Sequence, residues 1–281
     1  MDFVKMHGLG NDFVVIDGRR YAADWPRLAV ALCDRHFGVG ADGFVLVLDS
    51  EKADFRMRIY NPDGSEAEMC GNGIRCFAKY VYDEGETRRR EVLVETGAGL
   101  LPIAIQTDGQ GAVVGVTVGM GPPRLRPTEI PVALEGQRAL DVPLRLDEGI
   151  EVRFSAVSMG NPHAVAFLDQ PVESFPLERI GPQVEHHPLF PRRVNFEVCN
   201  VLDRRNLHVR VWERGAGLTL ACGTGACATV VAARVHDLVD DEVAVRLPGG
   251  TLRIAWDGRD EVRMTGPAVT VFRGAWPNGT Q

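Results

Sequence analysis

Apolar and polar residues alternate over several short stretches of the chain. "DFRMRIYN" sets Phe55, Met57 and Ile59 on one face and Arg56 and Arg58 on the other, the period of a half-buried strand. "NLHVRVWE" repeats this with Leu207, Val209 and Val211. Further strands are expected near 13–17, 43–48, 91–95, 113–118, 152–158, 164–168, 194–200, 243–247, 251–256, 261–264 and 269–272, with clusters of Gly, Pro and Asp between them. Helical periodicity is rarer. "DWPRLAVALCDRHFG" offers Asp24 as N-cap, Pro26 in the first turn and Gly38 as stop. "GIRCFAKYVYDEG" and "GACATVVAARVHD" are apolar nearly all round, as expected of buried helices. A further helix is expected from Ser174, with Pro176 near its start.

The pattern occurs twice. "NPDGSEAEMCGNG" and "ERGAGLTLACGTG" align without a gap, matching Asn61 with Glu213, Cys70 with Cys222 and Gly73 with Gly225. "LGNDFVVID" is echoed by "MGNPHAVAFLD", with Asn11 opposite Asn161, and Asp24/Pro26 by Ser174/Pro176. Two copies are too few for a solenoid. They predict two similar α/β domains related by a pseudo-twofold: residues 1–121, to which 267–281 return, and residues 122–266. A cleft between the two domains is the expected site.

Composition narrows the setting. A chain of 281 residues accommodates two domains of ordinary size or one large one. Its net charge of −7 supplies no broad basic face, which speaks against a nucleic-acid or acidic-membrane partner. Arg88 to Arg90 read as a solvated turn. The start shows no basic region followed by a long apolar core, and no apolar run reaches the roughly 18 residues of a membrane span. The expected location is the cytoplasm, where thiols stay reduced. Cys33 and Cys199 fall on apolar faces, and Cys76 and Cys227 inside helices, so these four read as core.

Cys70 and Cys222 differ, since each opens a Cys-Gly-x-Gly turn leading into a buried helix. Glycine lets a ligand approach the main chain. The first N–H groups of a helix lack intrahelical partners and, with the helix dipole, favour an anion. A thiol so placed is expected to fall from about 8.5 to roughly 3.5–7.5. Two such turns would set one thiol on each face of a carbon beside a carboxylate, the requirement of stereoinversion by general acid–base catalysis. A zinc site fits poorly, because the spacings are C-x5-C and C-x4-C with no His-x3-5-His. A redox pair of Cys70 and Cys222 has no C-x-x-C to support it.

At these residues the sequence resembles the diaminopimelate epimerases. The resemblance runs nearly end to end, through "KMHGLGNDFVVID", "NPDGSEAEMCGNGIRCFAKYV", "SMGNPHAV", "VNFEV", "ERGAG", "LACGTGACA" and "MTGPAVTVF". It implies interconversion of LL- and meso-diaminopimelate, in lysine and peptidoglycan biosynthesis, with neither pyridoxal phosphate nor metal. It also implies two domains, each a curved mixed β-sheet or barrel around a central helix, and a homodimer. Cys70 and Cys222 carry over as the acid–base pair. Gly71 and Asn72, with Gly223 and Thr224, carry over as donors to the carboxylate at the reacting carbon. Asn11, Asn61, Asn161, Asn195, Glu213 and Arg214 match substrate-holding positions, and His163 and Glu213 positions that tune the thiols. Gly43 stands where some members carry glutamine, and Leu218 where glutamate is frequent. The related proline and hydroxyproline racemases usually read C-G-H-G at the first turn, and the phenazine-pathway isomerases lack both cysteines.

Overall fold

A computed structural model describes residues 1–277. The fold is mixed α/β and splits into two compact units: residues 1–119 with the stretch from Thr265 onward, and residues 120–264. The expected return segment, 267–281, runs past the described residues at 278–281.

The first unit holds β1 (Asp2–Gly8), β2 (Asn11–Asp17), α1 (Trp25–Cys33), β3 (Gly43–Leu48), β4 (Phe55–Tyr60), β5 (Glu66–Ala67), α2 (Gly71–Asp83), β6 (Glu91–Thr96), β7 (Gly99–Thr107) and β8 (Val113–Gly119). The second holds β9 (Val142–Arg145), β10 (Glu151–Ser158), β11 (Pro162–Phe167), α3 (Leu177–Glu185), β12 (Asn195–Asp203), β13 (Asn206–Glu213), β14 (Gly217–Leu218), α4 (Gly223–Val235), β15 (Glu242–Leu247) and β16 (Gly250–Ala255). β17 (Arg263–Gly266) follows, and β18 (Val269–Ala275) belongs to the first unit.

Each unit is wired alike. β2 and β3 run parallel, as do β4 and β6; parallel neighbours need a crossover, supplied by α1 and α2. The second unit repeats this with β11 and β12 around α3, and β13 and β15 around α4. The other named pairs are antiparallel, including β1–β2, β3–β4 and β6–β7 in the first unit and β10–β11, β12–β13 and β15–β16 in the second. β18 pairs with β1 as β9 pairs with β10. The last strand of the chain thus fills the place that β9 fills from within the second half.

The two long helices are buried because a sheet curls round each. α2 packs on β1, β2, β3, β4, β7 and β8, and α4 on β10, β11, β12, β15 and β16. Its ten buried residues leave α2 few positions facing water. The other sheet faces are covered by the shorter helices: Leu32 and Cys33 of α1 pack with Phe44 and Leu46, and Ile180 and Val184 of α3 with Phe154 and Phe196.

Three local expectations are corrected. α1 does start at the Asp24 N-cap, whose Oδ1 accepts from Arg27 N at 3.2 Å, but it ends at Cys33 instead of running to Gly38. Asp34 Oδ1 accepts from the N–H groups of His36 and Phe37 at 2.7 and 2.8 Å, a local turn that competes with the helix. Gly38 is needed for close approach: a Cβ there would lie 2.1 Å from Ala31 O. α3 starts after Pro176, three residues later than expected, behind a 3-10 turn at Val172–Ser174. β1, β7 and β9 were not expected; Pro102 and Pro143 sit inside the last two, and proline ordinarily argues against a strand.

Candidate active site

Cys70 is the N-cap of α2 and Cys222 that of α4, both in extended backbone. Each helix therefore presents its unpaired N–H groups beside a sulfur. In the first unit Cys70 Sγ lies 3.8 Å from Asn11 Oδ1, which also accepts from Asn72 Nδ2 at 3.1 Å. Asn11 Nδ2 donates to Asp42 Oδ2 at 2.9 Å, fixing the amide so that its oxygen faces the turn. Behind it lies a charged cluster. Asp12 pairs with Lys5 at 2.5 Å and with Arg35 at 2.8 Å. Burial alone would raise the Asp12 carboxyl, but Arg35 and Lys5 outweigh it and hold it well below the usual range. The fully buried Arg75 braces the helix start, donating to Gly71 O at 2.9 Å, Asn72 Oδ1 at 2.8 Å and Pro267 O at 3.2 Å.

The second unit builds the same turn with different chemistry. Cys222 Sγ accepts from Gly225 N at 3.3 Å and is hydrogen-bonded to Thr224 Oγ1 at 3.4 Å. Asn161 Nδ2 donates to Thr224 Oγ1 at 3.3 Å, as Asn11 meets Asn72 in the first unit. His163 is hydrogen-bonded through Nε2 to Asn161 Oδ1 at 3.0 Å and through Nδ1 to Glu197 Oε1 at 2.7 Å. Glu213 accepts a hydrogen bond from Thr219 Oγ1 and is also hydrogen-bonded to Cys222.

The expected lowering of the thiol fails at Cys222. Burial pushes it well above its ordinary value, and the Glu213 and Glu197 carboxylates push it further. Hydrogen bonds from Thr224 and Gly225 act the other way and are outweighed. Glu213 is itself raised, by burial first and then by Glu197. Cys222 is therefore a thiol at neutral pH. The generic effect of a helix start loses because it is screened and short-ranged, whereas desolvation acts on the whole charge.

Asn11, Gly71 and Asn72 gather round Cys70, and Asn161, His163, Glu213, Gly223 and Thr224 round Cys222. Three expected residues are engaged elsewhere. Asn61 is exposed and donates to Ser65 Oγ at 2.9 Å in its own turn. Asn195 is buried, donating to Pro162 O and accepting from Arg214 N, both at 2.9 Å. Arg214 is exposed, with Nη1 on Arg192 O at 3.0 Å. Glu197, Asp42 and Arg75 were not expected as site residues. The string "VNFEV" carries Glu197, but alternation alone does not reveal that a helix covers the face it points to.

The two departures have local readings. A Cβ at Gly43 would sit 3.1 Å from the Phe13 ring and 3.3 Å from Tyr60 O. Leu218 pairs with Trp212 as Glu66 pairs with Tyr60. In the first unit Glu66 takes Arg58 at 2.8 Å; in the second, the corresponding Arg210 turns to Val172 O and Phe175 O at 3.0 and 3.2 Å.

The fold is mixed α/β, a sheet wraps a buried helix in each unit, and a cysteine stands at the start of each of those helices. Solved structures share the fold over nearly the whole chain. A hydroxyproline epimerase from Agrobacterium vitis matches with TM-score 0.69 and 19% identity, covering 98% of this chain and 90% of that one. A phenazine biosynthesis protein of the PhzF family from Bacillus anthracis gives TM-score 0.67 and 19% identity, with 98% of each chain covered. Sequence relatives are far nearer. The diaminopimelate epimerase of Desulfitobacterium hafniense is 53% identical, covering 98% of this chain and 97% of its own. That of Moorella thermoacetica is 53% identical with 99% of each covered, and that of Azotobacter vinelandii 51% with 97% of each. The family model described as diaminopimelate epimerase matches residues 3–126 and 155–271. The chain belongs to the diaminopimelate epimerase family.

Proposed function

We propose that this chain interconverts LL- and meso-diaminopimelate by moving a proton at one α-carbon between Cys70 and Cys222. The observation that carries the reading is the repeated cysteine N-cap, one on each of two buried helices. The two domains of this reading, 1–121 with 267–281 and 122–266, contribute one thiol each. In one direction the Cys70 thiolate removes the α-proton: the C–H bond breaks and an S–H bond forms. The Cys222 thiol gives its proton to the opposite face, leaving a thiolate. The raised Cys222 suits it to the acid role at neutral pH. In reverse the roles exchange. N–H groups at Gly71, Asn72, Gly223 and Thr224 hold the carboxylate at the reacting carbon and stabilise charge developing on it.

Asn11 and Asn161 are set to orient that end of the substrate. Asn61, Asn195 and Arg214 complete the substrate site on exchanging their present partners, the guanidinium suiting the distal carboxylate, and Glu213, hydrogen-bonded to Cys222, takes an ammonium. His163 and Glu213 tune Cys222. For the setting, we propose a homodimer in a reducing cytoplasm. The exposed Val269, Val271 and Phe272 of β18 support the dimer, and the membership of a biosynthetic family supports the location.

The test is turnover of LL-diaminopimelate in D2O, with proline alongside. Meso product carrying deuterium at the inverted carbon is expected, with no turnover of proline; retained hydrogen in that product refutes the two-base route. Cys70→Ala and Cys222→Ala should each lower turnover by at least about 10²–10⁴-fold, the usual weight of general acid–base catalysis.

A further inference from the structure

The two helix starts are equivalent, but what lies behind them is not. The parallel registers Phe13↔Gly43 and Val15↔Val45 in the first unit correspond to His163↔Asn195 and Val165↔Glu197 in the second. The counterparts of His163 and Glu197 are therefore Phe13 and Val45. An apolar pair in one unit is replaced by an ionisable pair in the other, both members fully buried.

Glu197 is an odd residue for a core. Its Oε2 has no hydrogen-bond partner among the described residues, and buried carboxylates are seldom left so. Its Oε1 sits under the first turn of α4. A Cβ added at Gly225 would lie 2.6 Å from that oxygen and 3.3 Å from Cys222 Sγ. A hydrogen-bonded chain also runs from it to the sulfur, through His163, Asn161 and Thr224, at 2.7, 3.0, 3.3 and 3.4 Å.

We propose that Glu197 is a positioning residue for the reaction: acting with His163 through Asn161 and Thr224, it orients Cys222 and favours its protonated form, so that the two catalytic thiols are built unequal. This rests on the reading of Cys222 as a catalytic thiol. The chain of hydrogen bonds moves no proton in this role. Glu197 acts by its charge beside the sulfur and by fixing the groups that touch it. The groups facing Cys222 are Glu213 on β13, Glu197 on β12 and His163 on β11. The charged residues of the other strands packed on α4, namely Glu151, Arg153, Glu242, Arg246 and Arg253, are exposed. Burial and the two carboxylates act on Cys222 in the same direction.

The test follows modification of each thiol by methyl methanethiosulfonate against pH, read by mass spectrometry of the Cys70 and Cys222 peptides. In Glu197→Gln the Cys222 midpoint should fall by about one pH unit or more, the effect of removing a like charge beside an acid, while Cys70 keeps its profile. A second variant, His163→Phe with Glu197→Val, installs the pair that the first unit carries. Replacing a buried ionic pair by apolar residues is frequently neutral for folding, and a smaller fall is expected, because the imidazole that opposes the carboxylate is removed with it. A Cys222 midpoint unmoved in a folded variant overturns the proposal, as does an equal shift at Cys70. The readout needs no turnover, so it is separate from the loss of activity in Cys222→Ala that tests the catalytic reading itself.

Discussion

Gly225 shows how much one methyl group can matter at this site. In a helix interior, replacing glycine by alanine ordinarily gains up to about 1 kcal/mol. At Gly225 the new Cβ would meet Glu197 Oε1 at 2.6 Å and Cys222 Cβ and Sγ at 3.3 Å. Glu197 is buried and held by His163, so it cannot swing aside. Overpacking of this kind costs about 1–3 kcal/mol, and we expect Gly225→Ala to be destabilising despite its propensity. The matched position is milder: a Cβ at Gly73 meets Ile59 Cδ1 at 3.0 Å, the end of a flexible apolar side chain. Urea midpoints of the two variants should separate, with Gly225→Ala the lower; equal midpoints would mean that Glu197 is not held as described.

Among the elements, the ends of the shorter helices and the strands that carry proline are the least legible in the sequence. α2 and α4 were legible from length and apolar content, and their starts from the Cys-Gly-x-Gly turns. The end of α1 was not, because a single carboxylate, Asp34, captures two N–H groups and closes a turn ahead of the glycine. β7 was hidden by Pro102, which is exposed and lies within a strand paired on both sides.

These elements also set a response to pH. Burial pushes the thiol of Cys33, on α1, up to about 11 and that of Cys76, on α2, up to about 12. An unfolded thiol ionises near 8.5. Above that pH the unfolded chain holds fewer protons than the folded one, so stability is complete below it and is lost as pH rises towards 11 and 12. Each buried thiol should contribute a decline of about 1.4 kcal/mol per pH unit. Denaturant midpoints are expected to be flat between pH 7 and 8, to fall by pH 9.5 and to fall further by pH 10.5; no fall by pH 10.5 would contradict the burial of these groups.

At the scale of the whole molecule, the repeat seen in the sequence is a repeat of wiring, and β18 completes it. The last strand occupies beside β1 the place that β9 occupies beside β10. β18 leaves Val269, Val271 and Phe272 exposed at 43%, 54% and 46%, an apolar strip on a strand whose partner is β1. On the proposed homodimer this strip is covered by a second copy. Val271→Lys should then shift sedimentation towards the monomer with the circular dichroism spectrum unchanged. A dimer that persists in this variant would place the interface elsewhere.

The sequence by itself determined the two buried helices, the cysteine that opens each, the duplicated order of elements and, through long shared strings, the family. These are properties of local pattern: apolar period, glycine spacing and turn chemistry act over a few residues and survive in the linear text. Only the tertiary structure decided that Cys222 is raised and not lowered, and that Glu197 and His163 stand behind it while Val45 and Phe13 hold the matching places in the first unit. The protonation of a buried group depends on lost hydration and on charges brought from strands distant in sequence, and folding alone brings those together.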